Sequence, residues 1–124
     1  MILCDTNILI EFYKNNVLVV QTLQRMGQAN LAISAVTQGE LFFGALNKAE
    51  LAKIKRHLTT IECLPIDGRI SEQFLTLMET YALSHKLTIP DALIAATALV
   101  HHMDLYTFNV KDFRFIPGLA FPQL

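Results

Sequence analysis

The sequence of 124 residues contains no tryptophan, only two cysteines and few charged residues, which make up 17% of the chain. Both cysteines, Cys4 and Cys63, stand in apolar stretches, where a buried and reduced thiol is the usual state of a cysteine. A disulfide framework is therefore not expected. The spacing of cysteines and histidines also matches no zinc site, so zinc is not the metal that this sequence indicates.

Long hydrophobic runs are missing as well, although hydrophobic residues make up 52% of the chain and mean hydropathy is +0.38. The uncharged stretch Ala92–Met103 has 12 residues, which suits a core helix but is shorter than the roughly 18 residues that span a bilayer. Asp5 interrupts the apolar N-terminus, and no basic segment precedes it, so a secretory signal is not expected. We therefore expect a soluble cytoplasmic protein with no membrane span.

Neither sign of charge dominates, since ten basic and eleven acidic residues give a net charge of −1. No overall cationic field indicates a nucleic-acid partner, so any such role has to rest on a local site. The chain lacks repeats, linkers and low-complexity segments, and its length suits one domain, residues 1–124. Its apolar excess favours a second hydrophobic surface, most simply one for self-association or for a partner.

What the chain does contain is an alternation of apolar strands and helical segments of ten or more residues. This order favours a mainly parallel sheet joined by right-handed crossovers. The predicted fold class is α/β, a three-layer α/β/α sandwich with a short, mainly parallel central sheet. The predicted strands are Met1–Cys4, Leu31–Ser34, Ile61–Ile66, Leu105–Thr107 and an edge strand at 120–121. The first predicted helix begins at Ile8, and the others cover residues 17–26, 36–58, 69–85 and 90–101. The helix over 36–58 is predicted to be interrupted near Asn47.

Four acidic residues are predicted at the edge of the sheet formed by the carboxyl ends of the strands, where ligands bind in folds of this type. Asp5 ends the first strand, and Glu40 lies in the second turn of the helix after the second strand. Asp91 lies in the first turn of a helix that leads into the last strand, so this helix must begin at the same edge. Asp112 follows that last strand. The four carboxylates are therefore expected to converge.

Carboxylates gathered in a partly buried cleft repel one another and lose hydration, so they need a cation or must take up protons. A hard divalent ion is the simplest answer, and Mg²⁺ or Mn²⁺ prefers carboxylate and water oxygens. Such an ion polarises a phosphate oxygen and lowers the pKa of a bound water. Hydrolysis of a phosphodiester is therefore the reaction class that these residues indicate.

Four segments of the chain also resemble one family, the PIN domains, and within it the VapC-type toxins of toxin–antitoxin pairs. LCDTNILIE resembles the family's first-strand motif with its first acid, which maps to Asp5. SAVTQGELFFG resembles the segment with the second acid, at Glu40. PDALIAATAL resembles the family's most characteristic stretch and maps the third acid to Asp91, while LYTFNVKDFRFIPGL resembles its terminal segment. The resemblance extends over nearly the whole chain.

The resemblance implies a Mg²⁺-dependent endoribonuclease, with Mn²⁺ as a second possibility, that forms a homodimer, is inhibited by a cognate antitoxin protein and leaves a 3′-hydroxyl on the RNA. The implied catalytic residues are Asp5, Glu40, Asp91 and Asp112, of which the first three would bind the metal. Many PIN domains carry a fourth acid near Asn109, which here is an amide, so Asp112 is assigned as an outer or water-mediated acid. The implied substrate-binding residues are Thr6, Asn7, Thr107, Asn109, Lys111 and Arg114.

Simpler structural roles remain open for several of these residues. Asp5 and Asn7 suit a helix N-cap, Asp91 suits the positive end of a helix dipole, and Asp112 suits a solvated turn. The basic cluster Lys53–His57 is better explained as a solvated helix face than as an RNA contact. The paired histidines at 101–102 are better explained by the helix dipole than by a metal.

Three other functions are weighed against the nuclease. A PIN-like module that binds RNA or a partner without a toxin role would be expected to lack some acids, yet three are in place. An aspartyl hydrolase of the haloacid dehalogenase type, a phosphatase-like enzyme, requires a second aspartate two residues after the first, where this chain has Asn7. Response-regulator receivers share the architecture, but their adjacent acidic pair early in the chain is absent here.

Overall fold

A computed structural model describes all 124 residues and shows one four-stranded sheet. The strands are β1 (Ile2–Cys4), β2 (Leu31–Ser34), β3 (Glu62–Leu64) and β4 (Asp104–Tyr106), in the spatial order β3-β2-β1-β4. Every neighbouring pair is parallel, which confirms the predicted sheet. The helices are α1 (Thr6–Tyr13), α2 (Val17–Met26), α3 (Ala35–Phe43), α4 (Lys48–Leu58), α5 (Gly68–Tyr81) and α6 (Ile89–His101), with 3₁₀ turns at Gln28–Asn30 and Val110–Asp112.

Short polar side chains determine where the helices begin. Ser34, the last residue of β2, accepts a hydrogen bond from Val36 N and so starts α3 directly after the strand. Asn47 accepts from Glu50 N and starts α4, which explains the interruption predicted there. These caps satisfy amide groups that have no partner inside the helix. The Ser34 cap keeps the connection from β2 to α3 short at the carboxyl edge of the sheet, whereas the Asn47 cap separates α3 from α4.

The two faces of the sheet are covered by separate hydrophobic clusters, because side chains alternate along each strand. Leu3, Ala32, Leu64 and Leu105 face a cluster with residues of α5 and α6. Cys4, Leu31, Ile33 and Tyr106 face a cluster with residues of α1, α2 and α4. The arrangement confirms the predicted three-layer α/β/α fold. Both cysteines are free thiols, with Cys4 buried and Cys63 half-buried.

Several predicted boundaries differ from the structure. Helix α1 begins at Thr6 rather than Ile8 because Asp5 caps it, and α5 ends at Tyr81 rather than His85. The predicted edge strand at 120–121 is wrong: the segment makes one backbone hydrogen bond to β4, from Leu105 N to Ala120 O at 2.9 Å, and forms no ladder. No helix has the length and apolar character needed to cross a membrane.

Candidate active site

Asp5 lies at the junction of β1 and α1 and is 6% exposed. Its backbone belongs to both elements, since Asp5 N donates to Tyr106 O at 2.9 Å and Asp5 O accepts from Ile8 N at 3.1 Å. Its carboxylate accepts from Thr6 N at 2.7 Å through Oδ1 and from the Thr107 hydroxyl at 2.8 Å through Oδ2. Asp5 therefore does cap α1, and the same contacts hold its side chain at the carboxyl edge of the sheet.

Burial raises the pKa of Asp5 above its usual value. The hydrogen bonds from Thr107 and Thr6 act in the opposite direction, because they stabilise the ionised form. The charges of Glu40 and Asp112 raise the pKa further. Asp5 is thus a buried carboxylate whose only compensation comes from neutral donors.

Glu40 lies on α3, and the Thr6 hydroxyl connects it to Asp5. Glu40 is exposed as a whole, but its Oε1 accepts from Thr6 Oγ1 at 2.7 Å. Thr6 Oγ1 is also hydrogen bonded to Thr37 Oγ1 at 3.0 Å, and Thr37 is completely buried. Since a hydroxyl has one proton, Thr37 must donate to Thr6 when Thr6 donates to Glu40.

Asp91 is half-buried in the first turn of α6, two residues after Ile89. Its backbone N–H donates to Thr88 Oγ1 at 3.3 Å, so Thr88 is the residue that caps this helix. Burial is the main cause that raises the pKa of Asp91 to about 6, followed by the charge of Asp5. The hydrogen bond with Thr88 lowers it, and the charges of Asp112 and Glu40 raise it.

Asp112 lies with Asn109, Lys111 and Arg114 in the exposed segment after β4. Asn109 N donates to Thr107 Oγ1 at 3.0 Å, so Thr107 connects this segment to Asp5. The effect of Asp112 on the pKa values of Asp5 and Asp91 places it within electrostatic range of both acids. No side-chain hydrogen bond or ion pair fixes Lys111, Asp112 or Arg114, so all three side chains are free to reach a ligand.

The four acids have no basic partner. The one ion pair of the structure joins Lys14 to Glu11 at 3.6 Å, on the exposed side of α1. Asn7 adds a further unsatisfied oxygen, because its Oδ1 is buried and accepts no hydrogen bond. An arrangement of uncompensated carboxylates with an orphaned amide oxygen has the donor chemistry of a hard divalent cation, and the residues present fit such an ion.

The carboxylates of the four acids lie farther apart than predicted. No three aspartate, glutamate, histidine or cysteine side chains lie close enough together, as they stand, to hold one ion. The acids are instead within range of mutual repulsion, and Glu40 is directed to Thr6. Like charges separate when no cation lies between them, so rotation of the carboxylates toward one another would be needed to coordinate a metal.

Thr37 is the residue near the site that the sequence analysis missed. It lies one turn before Glu40 on α3, and its buried hydroxyl reaches across to Thr6 on α1. The only signal in the sequence was a threonine three residues before the glutamate, which is also an ordinary pattern on a helix. Its role depends on the packing of α1 against α3.

A groove of about 670 Å³ opens beside Glu40 between α1, α3 and α4. Its apolar side chains come from all three helices, and Glu40, Lys14, Lys53 and His57 lie among them. Phe43 and Leu46, at the end of α3 and just beyond it, are 94% and 85% exposed. The apolar surface next to Glu40 is thus extensive for so small a chain.

Comparisons with known proteins match nearly the whole chain. The family model of the PIN domain matches residues 2–118. Ribonuclease VapC10 of Mycobacterium tuberculosis is 33% identical over 124 residues, covering 98% of this chain and 92% of that protein. A toxin–antitoxin complex from Klebsiella pneumoniae contains a chain with a TM-score of 0.83 and 35% identity, covering 99% of this chain and 98% of that one. The structure of VapBC2 from Rickettsia felis, bound to a promoter DNA fragment, contains a chain with a TM-score of 0.83 and 25% identity. The match covers 100% of this chain and 99% of that one.

Proposed function

The chain belongs to the PIN domain family, and from this we propose that it is a metal-dependent endoribonuclease, the toxin component of a type II toxin–antitoxin pair. The observation that carries the proposal is the group of four acids at the carboxyl edge of the sheet, none of which has a basic partner. A fold maintains such repulsion when a ligand offsets it. The names of the relatives supply the substrate class, since VapC10 of Mycobacterium tuberculosis is a ribonuclease.

We assign Asp5, Glu40 and Asp91 as metal ligands and Asp112 as an acid that acts through water. The proposed ion is Mg²⁺, with Mn²⁺ as the alternative, because the donors are oxygens. When bound, such an ion polarises a phosphate oxygen and makes a bound water more acidic. All four acids are then catalytic residues of the proposed site.

The remaining residues of the site would orient these acids and the RNA. Thr107 holds Asp5 through a 2.8 Å hydrogen bond, and the Thr6 hydroxyl holds Glu40 at 2.7 Å. The hydroxyl of Thr6 is thereby occupied, so Thr6 would contact RNA only if it released Glu40. The side chains proposed to contact the RNA directly are those of Asn7, Asn109, Lys111 and Arg114.

A protein partner is proposed on the same comparisons, because chains of this fold are found in toxin–antitoxin complexes. We propose that residues 1–124 act as one nuclease domain in a cytoplasmic homodimer, and that the antitoxin covers the groove beside Glu40. Most of the surface of that groove is apolar, although charged side chains also line it, and it opens beside a candidate metal ligand. A segment bound there would restrict access of RNA to Glu40.

RNA cleavage with Mg²⁺ tests the proposed function. Wild-type protein is expected to cut RNA, and EDTA, Asp5→Asn and Asp91→Asn are each expected to reduce the rate by at least about 100-fold, because each removes the metal or one of its ligands. Asp67→Asn is the matched control. Asp67 caps α5 by accepting from Ile70 N, and asparagine caps equally well, so this variant should keep full activity.

Cleavage that survives EDTA and both substitutions would show that the metal-nuclease mechanism is wrong. A protein that binds RNA but never cuts it would favour the alternative of a binding module. The phosphatase-like alternative predicts a covalent phosphate on Asp5, which acid-quenched protein incubated with a labelled phosphate ester would reveal. The presence of Asn7 where such enzymes need an aspartate argues against that outcome.

A further inference from the structure

An aromatic stack formed by Tyr81, His85 and Phe115 lies outside the group of acids. The imidazole of His85 lies against the ring of Phe115, with centroids 4.1 Å apart and planes inclined by 19°. Tyr81 meets His85 edge-on at 5.5 Å and Phe115 at a tilt at 5.0 Å. Tyr81 and Phe115 are half-buried and pack against the core, whereas His85 is exposed. The stack therefore ends in the exposed imidazole of His85.

The turn after α5 holds this imidazole in place. Ser84 Oγ is hydrogen bonded to His85 Nδ1 at 2.8 Å, and His85 N donates to Tyr81 O at 3.0 Å. Lys86 has a positive φ of 54°, a conformation that residues other than glycine rarely adopt. It turns the chain so that Leu87 N also donates to Tyr81 O, at 3.4 Å. The ring is thus oriented before a ligand arrives, which reduces the entropic cost of binding.

Both segments that carry the stack lead to candidate acids. His85 precedes Asp91 by six residues in the connection from α5 to α6, and Phe115 follows Asp112 by three residues. Helix α6 begins at the carboxyl edge of the sheet, because it leads directly into the amino end of β4. The connection that carries His85 therefore leads to the same edge of the sheet as the acids.

Charge next to the stack is basic. Lys86 follows His85 and Arg114 precedes Phe115, and both side chains are exposed. Neither forms an ion pair with the protein, since the one ion pair joins Lys14 and Glu11. A planar ring face flanked by free cations is the combination with which proteins bind single-stranded nucleic acids, through base stacking and phosphate contacts.

We infer that the open face of His85, backed by Phe115, is a stacking site for one unpaired base of the RNA, and that Lys86 and Arg114 contact the neighbouring phosphates. The inference rests on the proposed ribonuclease function and assigns to the His85–Phe115 stack the part of the RNA site that would contact a base. In a duplex the base faces are already stacked on one another, so they are closed to a side chain. Every base has a π-face, so this site selects unpaired structure and not sequence.

Binding of an oligoribonucleotide that contains 2-aminopurine tests the inference. The protein carries Asp5→Asn, so that the RNA is not cut, and Mg²⁺ is present. We expect His85→Leu, which covers Phe115 but has no π-face, to weaken binding of the single strand roughly 5- to 150-fold. His85→Tyr should retain affinity within about threefold, because it preserves a stacking ring. Neither change should alter binding to a duplex of the same sequence. His101→Leu, at the opposite end of α6, is the control.

Several results would overturn the inference. One is equal single-strand affinity in the parent and His85→Leu, and another is an equal loss in His85→Leu and His85→Tyr at unchanged melting temperature. Unchanged RNA affinity together with dissociation of a dimer in His85→Leu would assign the stack to a protein contact instead. Cleavage by the wild-type protein is measured separately, so the proposed function can stand while the stacking site fails. Absence of cleavage in the wild type would refute the proposed function itself.

Discussion

Asp5 and Asp91 carry similar charges in different surroundings. Asp5 is almost fully buried and accepts two hydrogen bonds, from Thr6 N and the Thr107 hydroxyl. Asp91 is half-buried, and its hydrogen bond with Thr88 offsets only part of the effect of burial and of repulsion from the other acids. A carboxyl with a raised pKa in the folded protein destabilises the fold once it ionises. Asp91 is therefore the position at which the loss of folding stability caused by an ionised carboxylate is easiest to measure.

We predict that Asp91→Asn stabilises the metal-free protein at pH 7.5. The pKa of Asp91 is raised from 3.8 to about 6, so its destabilising effect is absent below about pH 4, grows as pH rises through 6 and is complete above that. A shift of this size corresponds to at most about 3 kcal/mol, and about 1–2 kcal/mol is expected after solvent screening. Urea unfolding in EDTA at pH 7.5 and pH 4 measures it.

The same samples with added Mg²⁺ provide the control for this prediction. Wild-type protein should gain stability from the ion, by the amount that ligand binding to the folded state supplies, and Asp91→Asn should gain little. The assignment of Asp91 as a charged, metal-binding residue would be contradicted by a variant less stable than wild type in EDTA that still responds fully to Mg²⁺.

Helices α1 and α3 are joined by hydroxyl groups near their first turns. Thr6 belongs to α1, Thr37 and Glu40 belong to α3, and the hydrogen bonds of 2.7 and 3.0 Å among them cross the contact between the two helices. Asp5 caps α1 through Thr6 N. Thr6 therefore couples the position of one acid to that of the other. Because Thr37 is completely buried, its hydroxyl cannot be replaced by water without opening the helix contact.

Removal of the Thr37 hydroxyl should therefore impair catalysis through Glu40. We predict that Thr37→Val lowers kcat of RNA cleavage by about 10- to 100-fold, with little change in KM, since small misplacement of a catalytic group costs rate out of proportion to stability. Thr37→Ser should restore most of the rate. The assay is steady-state cleavage over a range of RNA concentrations at saturating Mg²⁺, accompanied by melting curves.

Thr97→Val is the matched control for this substitution. Thr97 is also completely buried, and its hydroxyl donates only to Leu93 O within α6. Both variants should lose a similar amount of stability, about 1 kcal/mol, while only Thr37→Val loses rate. Equal rates in the two variants would show that Thr37 serves packing alone.

Large apolar side chains remain exposed when both faces of the sheet have been covered. Leu83 is 97% exposed, Phe43 94%, Leu46 85% and Leu18 75%. They belong to α2, the end of α3, the segment just beyond it and the turn after α5. Part of the apolar excess of the composition is thus on the surface, as the sequence predicted. A contact with a second copy of the chain together with a contact with an antitoxin would bury more of these side chains than either contact alone.

Sedimentation equilibrium tests the proposed homodimer. At micromolar concentration, without antitoxin, we predict a mass of about twice the chain mass of 14.0 kDa, because burial of exposed leucine and phenylalanine side chains favours association. Addition of salt should weaken the dimer little, since apolar contacts are not screened. A monomer under these conditions would contradict the homodimer, and the antitoxin would then be the one proposed partner that covers the exposed side chains.

The sequence by itself determined the order of the elements and the edge on which the acids lie. Alternating strands and helices force parallel pairing, and in a parallel sheet Asp5 and Asp91 have to meet at the carboxyl edge. Caps such as Asn47 were visible because they act within three or four residues. The sequence did not show that the segment at 120–121 forms no strand, because a single backbone hydrogen bond to β4 leaves no periodic pattern in the sequence.

Only the tertiary structure decided what each acid touches. Thr107 and Asp5 are 102 residues apart, and Thr6 and Glu40 are 34 apart, so no local pattern links them. The structure also decided that Glu40 is exposed, that the pKa of Asp91 is raised to about 6, and that His85 stacks on Phe115. Hydrophobic periodicity specifies which face of an element is buried, whereas hydrogen bonds and charge repulsion depend on distances that exist only once the helices have packed.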